Sequence, residues 1–390
     1  MSSPAPTLER GGRAALIAVA VCFFVNGATF ASWLARLPEI RADLDVSDSL
    51  LGLTLIGGSV GAIGASVGAG WLIHQWGSRR AVLVGGCTLS VLLPFVAVAS
   101  TAVMLFVTLV MIGIADAVTD VACNDQAVLV QQGRTESVLT RLHACWSIGT
   151  LCGGIAAGVA QAVGIGFRTQ LLAISLALVT LMVWVRTRLY DDAHHAAARS
   201  HEQAARHLRP SLTAILLVCG ALAVLTELPA TEWATLVMVE RYGLSNSAAV
   251  WGFVGFAAGM VVGRLGWDGV LDRVGERRGQ TLGAAMSLTG LAVACTGSAP
   301  WVTVVAFFVA AMGCSVFFPL MVRRASASAA GAFGVGVMAA GSRIGTLTGS
   351  PAMGALSDAW TRSAALLTVS GTAAALLFVV RIPVAAPARH

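Results

Sequence analysis

The sequence predicts an all-α integral membrane protein: twelve transmembrane helices in two parallel-related six-helix bundles. Three observations lead there. Of 390 residues, 57% are hydrophobic and only 11% charged, against about 25% charged in a soluble domain; mean hydropathy is +0.81. The apolar residues gather into runs of roughly the 20 residues that cross a hydrocarbon core. Motifs of the first half return in the second at a nearly constant offset. An ordinary soluble enzyme is excluded, and so is disorder.

Cut at charges and turn residues, the runs fall at Ala14–Leu37, Leu50–Ile73, Ala81–Ala99, Ala102–Val130, Val138–Val163 and Thr169–Val185. A second set follows at Leu212–Val239, Ala248–Leu271, Gly279–Thr296, Trp301–Val322, Phe333–Leu356 and Ala364–Val380. The first run exceeds the about 7–15 apolar residues of a signal peptide core. Between the sets lies a polar stretch rich in Ala, His and Arg. The chain is therefore expected to divide into an N-terminal bundle (1–187), a cytoplasmic linker (188–210) and a C-terminal bundle (211–390). His194, His195, His201 and His207 in the linker lack acidic or Cys partners at ligand spacing, so no metal or other cofactor is expected. The eight cysteines form no Cys-x-x-Cys pair and read as packing residues.

All 25 basic residues are Arg. With the N-terminus inside, 18 Arg fall in cytoplasmic segments and 5 in outer ones, with Arg264 and Arg343 inside spans. The positive-inside rule places both termini in the cytoplasm of a plasma (inner) membrane. The net charge of +6 thus meets anionic lipid and not nucleic acid.

The repeat is specific. Gly77-Ser78-Arg79-Arg80 matches Gly275-Glu276-Arg277-Arg278 at an offset of 198, Ile148–Gly153 matches Ile344–Gly349 at 196, and Trp33 matches Trp233 at 200. Six spans per repeat leave both halves in the same orientation, an arrangement suited to alternating access around a central cavity.

The loops after spans two and eight resemble the Gly-x-x-x-Asp-Arg-x-Gly-Arg-Arg signature of the major facilitator superfamily, and the chain resembles that family over essentially its whole length. The C-terminal copy keeps Asp272 and Arg273, followed by Gly275, Arg277 and Arg278. The N-terminal copy keeps Gly70, Gly77, Arg79 and Arg80, with His74 and Gln75 where the acidic-basic pair would stand. The resemblance implies a cytoplasmic latch at these residues. Phe30–Ile40, Asn124–Ala127 and His143–Ser147 are similar to the MosC-like branch, which implies a small polar solute. Drug-antiporter branches carry a Gly-Pro element in span five and a basic residue in span four; this chain has neither.

A charge in hydrocarbon costs roughly 2.5–3.5 kcal/mol or more, so charged residues within spans are functional candidates. Asp116, Asp120 and Asn124 follow one another at i, i+4 and i+8 on span four, a polar stripe facing the cavity. Asp120, then Asp116, is the candidate proton-coupling site; the alternative is a structural pairing with an Arg of another helix. Asn26 of span one and His143 and Trp146 of span five, with Thr150 on the same face, are candidate solute-binding residues alongside Asn124, Glu227 and Arg343; for His143 the alternative is a helix-to-helix hydrogen bond. Glu227 precedes Pro229, whose missing N–H frees a carbonyl and tends to kink the helix. Glu232 is expected near the outer surface without a special role. Arg343 is suited to an acid across the cavity or to an anionic group, and Arg264 to Asp268 at i+4. Glycines 57, 61, 64 and 68 of span two and 341, 345 and 349 of span eleven fit close helix contact.

These residues point to a monomeric secondary transporter moving a small polar organic solute, with protons and membrane lipid as its other partners. An exporter of the same fold and a non-transporting receptor are the alternatives. No nucleophile-base pair, metalloprotease element or nucleotide loop appears, so an enzyme is not expected.

Overall fold

The computed structural model describes residues 6–132, 139–190, 210–328, 331–380 and 382; most of the expected linker, with its four histidines, lies outside them. Every regular element among the described residues is helical. The first repeat forms α1 (Pro6–Leu34), α2 (Leu37–Leu44), α3 (Asp48–Leu55), α4 (Gly57–Trp76), α5 (Ser78–Val96), α6 (Ala102–Gln132), α7 (Leu139–Ala162) and α8 (Phe167–Val185). The second forms α9 (Pro210–Tyr242), α10 (Asn246–Val274), α11 (Glu276–Thr296), α12 (Pro300–Cys314), α13 (Phe317–Ala327), α14 (Gly331–Ala359), α15 (Arg362–Leu366), a π-helical turn (Leu367–Gly371) and α16 (Thr372–Val379). Ten helical stretches among the described residues are long and apolar enough to cross a membrane, not twelve. Expected spans nine and eleven, α11 and α14, fall outside that set. Glu276, Arg277, Arg278 and Gln280 open α11, while Gly, Ser and Arg343 dilute α14.

The chain folds into two compact units, one of Met1–Leu44 and Gly57–His195, the other of Asp45–Ile56 and Ala196–His390. Within the first, α1 packs on α7, α4 on α6, and α5 on α6 and α8; within the second, α9 packs on α14, α10 on α12, and α11 on α12 and α16. The scheme is the same in both. Expected span two is broken at Ile56, and its first part, α3, belongs to the second unit, where it packs on α14.

Glycine explains how closely these helices approach. A Cβ on Gly57 or Gly61 would lie 2.6 or 2.0 Å from the carbonyl oxygens of Phe106 and Val110. At an offset of 198, a Cβ on Gly255 or Gly259 would lie 2.7 or 2.2 Å from those of Val304 and Phe308. Gly64 and Gly68 meet nothing within 4 Å, so the expected glycine contact face of span two ends after Gly61. In span eleven, Gly341 and Gly345 do pack against α9 backbone, at Leu217 and Ala221. The loop glycines also match: Gly77 (φ 79°, ψ 153°) and Gly275 (φ 80°, ψ 157°) adopt one conformation essentially closed to other residues.

Each unit is pinned at one end by an arginine. Arg36, 2% exposed, pairs with Glu39 at 3.1 Å, donates to the Ile165 carbonyl at 2.8 Å and covers the Phe167 ring. Burial pushes its pKa down, and Glu39 opposes that shift. Arg241 donates to the carbonyls of Cys295 and Gly297. At the loops after α4 and α10 the units diverge. Ser78 accepts from Gln126 at 2.9 Å; the residues 198 positions on are Glu276 and Arg324, an ion pair at 3.1 Å that also engages Gln280.

Candidate functional site

The first unit assembles Asn26, Asp116 and Trp146 into one hydrogen-bonded chain. Its origin is local. A Cβ on Gly27 would lie 2.0 Å from the Trp146 carbonyl oxygen, and one on Gly149 2.1 Å from that of Phe24, so only glycine lets α1 and α7 approach this closely. Asn26, next in sequence to Gly27, is thereby set against the Trp146 indole. Trp146 Nε1 donates to Asn26 Oδ1 at 2.7 Å, and Asn26 Nδ2 donates to Asp116 Oδ1 at 2.7 Å. The indole can only donate, so it fixes which end of the amide faces the carboxyl group. All three side chains are half-buried.

One turn along α6, Asp120 is exposed. Asn124 Nδ2 donates to its Oδ1 at 3.1 Å and to its backbone carbonyl at 2.8 Å. His143, also exposed, stands edge-on to Phe23 with ring centroids 5.1 Å apart, and Phe30 tilts against Trp146 at 6.3 Å. Thr150, expected beside Trp146, is buried and returns its hydroxyl to the Trp146 carbonyl. The polar stripe of α6 therefore carries two differently placed carboxyl groups: Asp116 joined through Asn26 to α1 and α7, and Asp120 exposed and bonded by Asn124 of its own helix.

In the second unit, Arg264 donates to Glu227 of α9 at 3.0 Å. This corrects the expected i+4 pairing with Asp268. Asp268 is exposed and forms no ion pair among the described residues, because the arginine turns toward the neighbouring helix instead of along its own. Pro229 lies inside the unbroken α9. The carbonyl it leaves without its i+4 donor is that of Leu225, and the buried Ser370 hydroxyl in the π-helical turn donates to it at 2.9 Å. Arg343 is half-buried on α14, and its guanidinium makes no hydrogen bond or ion pair among the described residues.

The latch residues behave unequally. Arg79 donates to the Arg186 carbonyl at 3.0 Å. His74, Arg80, Asp272, Arg273, Arg277 and Arg278 are exposed. The bonding at this end of the second unit falls instead to Glu276, which pairs with both Arg323 (3.3 Å) and Arg324 (3.1 Å). Sequence reasoning missed Arg324 and Gln280, although the repeat offset from Gln126 points to Arg324. Glu232, expected near the outer surface, is buried at 6% exposure. No group of metal-ligating side chains occurs among the described residues.

The pattern described as Major Facilitator Superfamily matches residues 19–250 and 232–390. Among curated proteins, the chain is 24% identical to an uncharacterised MFS-type transporter of Yersinia pestis over 305 residues, 78% of each chain. It is 23% identical to the membrane protein MosC of Rhizobium meliloti over 377 residues, 96% of this chain and 89% of MosC. Among solved structures, the nucleoside transporter NupG superimposes with a TM-score of 0.75 at 14% identity, over 94% of this chain and 98% of NupG. The fucose:proton symporter FucP of E. coli does so with a TM-score of 0.61 at 15% identity, over 94% of this chain and 97% of FucP. These structural likenesses establish the fold.

Proposed function

Because the chain belongs to the major facilitator superfamily, a family of transporters and not of enzymes, we propose that it carries a small polar organic solute across the membrane by alternating access, coupled to protons. In this reading α11 and α14 also cross the bilayer, making twelve spans in two six-helix halves with both termini cytoplasmic, as the 18-to-5 distribution of Arg favours. The observation that carries the proposal is the Trp146–Asn26–Asp116 chain with Asp120 exposed one turn away. Asp120 exchanges the coupling proton. Asp116, tied through Asn26 to the indole, transmits its charge state to the solute-contacting face of α1 and α7. Asn124 and His143 line the same site, with Trp146 as a stacking surface for a ring-bearing solute. Within the second unit, Glu227 and Arg343 are the residues assigned to solute binding, and Arg343 is suited to an electron-rich group of the solute.

The relatives' names support polar ring compounds: NupG is a nucleoside transporter and FucP a fucose symporter. The test is uptake of radiolabelled uridine, fucose and myo-inositol into proteoliposomes with an imposed proton gradient. Accumulation of at least one is expected in the wild type, together with loss of accumulation and retention of exchange in Asp120→Asn. An Asp120→Asn protein that still concentrates the solute overturns the coupling role.

A further inference from the structure

Pro229, Ala230, Thr231, Glu232, Trp233, Ala234, Thr235, Leu236, Val237 and Met238 are all buried. The outer half of α9 is thus enclosed on every side and not along one stripe. Glu232 lies within this stretch, and its Oε2 accepts a 2.6 Å hydrogen bond from Ser350 Oγ on α14. No ion pair to Glu232 is found among the described residues. The charged groups on the elements packed around it are engaged elsewhere or stand apart. Glu227 on its own helix pairs with Arg264 of α10. Glu240 accepts from the Arg362 backbone, and Arg241 binds the carbonyls of Cys295 and Gly297. Asp358 of α14 and Arg362 of α15 are turned to α3, and Arg343 of α14 makes no bond to Glu232. An unpaired carboxylate shut away from water is costly, whereas a neutral carboxyl bonded to a hydroxyl is not.

Ser350 is also where α3 is seated. A Cβ on Gly52 would lie 2.3 Å from the Ser350 carbonyl oxygen, and one on Gly354 2.2 Å from that of Asp48. Short α3 therefore rests flush on α14, directly over the residue that holds the carboxyl. A polar clamp fastens it. The Arg362 guanidinium donates to both Asp48 oxygens at 2.6 and 2.9 Å, and the Asp358 carboxylate accepts from the backbone N–H groups of Asp48 and Ser49 at 3.0 and 2.8 Å. Asp48 and Arg362 are themselves mostly buried. The break after Leu55 leaves α3 a separate eight-residue piece.

We propose that Glu232 is a second proton-binding site, sealed by α3: it holds its proton while the Asp48–Arg362 clamp seats α3 on α14, and exchanges it with water only when α3 lifts. On release the proton passes to water on the α3 side, and Ser350 Oγ remains as donor to the carboxylate. The proposal extends the proton-coupled reading above by a carboxyl in the second unit.

The experiment is infrared difference spectroscopy of the full-length protein in lipid, without solute or gradient. A carboxylic-acid carbonyl band present in the wild type and absent from Glu232→Gln is expected. The band shifts in Ser350→Ala, and its exchange after transfer to D2O is about tenfold faster or more in Arg362→Gln. Bands from Asp116 and Asp120 remain in Glu232→Gln, so the difference isolates Glu232. Should Glu232→Gln not fold, the shift in Ser350→Ala carries the same test. Absence of any band that responds to these two substitutions overturns the site, and exchange equally fast in wild type and Arg362→Gln overturns the seal. Because the spectrum needs no transport, failure of the Asp120→Asn test leaves it readable.

Discussion

Replacing Asn26 with leucine, an apolar side chain of similar length, removes both bonds that join α1 to α6 and α7. The bond to Trp146 Nε1 is a neutral interhelical bond, worth about 0.6 kcal/mol and at most about 1.7 in membrane proteins. The bond to Asp116 involves a carboxyl group, where about 1.5–3 kcal/mol is typical. Both are part-buried and 2.7 Å long, so together the loss is about 2–5 kcal/mol. The assay is reversible unfolding of the purified protein in mixed SDS micelles, followed by circular dichroism. A double-mutant cycle with Trp146→Phe, which removes the indole donor together with part of the ring, cancels the packing loss and isolates the first bond as a coupling of about 0.6–1.7 kcal/mol. A destabilisation by Asn26→Leu below about 0.5 kcal/mol, or a cycle additive within about 0.3 kcal/mol, refutes the claim that Asn26 links the three helices.

Other outcomes follow from the packing and the backbone. Gly61→Ala and Gly259→Ala, whose added methyls meet carbonyls at 2.0 and 2.2 Å, should each destabilise by about 1–3 kcal/mol; Gly64→Ala, with open space around it, should not, and thermal melting in detergent separates the three. Ser370→Ala leaves the Leu225 carbonyl without its donor and should cost about 0.6–1.7 kcal/mol. In a Pro229→Ala background, which restores the helical N–H, that cost should shrink toward zero in the same unfolding assay. Gly77→Ala and Gly275→Ala, forced into a glycine-only conformation, should each lose about 1–3 kcal/mol, and equal losses in the two would show that the loops fold alike.

The membrane-spanning character was legible because water and hydrocarbon sort residues so strongly that long apolar runs announce themselves. The same cost exposed Asn26, Asp116 and Trp146, polar groups inside apolar segments, and the structure brings these three together. What was hidden depends on neighbours distant in sequence. Arg264 has an acid one turn away, but Glu227 on another helix receives its bond. Glu232 sits near the end of an apolar run, yet packing from all sides buries it. The glycine spacing in span two continues past Gly61, although the partner helix does not. The break between α3 and α4 falls within Leu55-Ile56-Gly57-Gly58, where hydropathy shows no interruption.

The pairs Ser78–Gln126 and Glu276–Arg324 occupy equivalent places in the two repeats. In a symmetric dimer of a single half, each such place would carry the same residue twice, and any substitution would alter both copies at once. Joining the copies in one polypeptide removes that constraint. One half has a neutral fastening there, indifferent to dissolved salt, and the other an ionic one that salt weakens. Raising the ionic strength therefore loosens one copy selectively, so that a duplicated architecture acquires two ends with different responses to the medium.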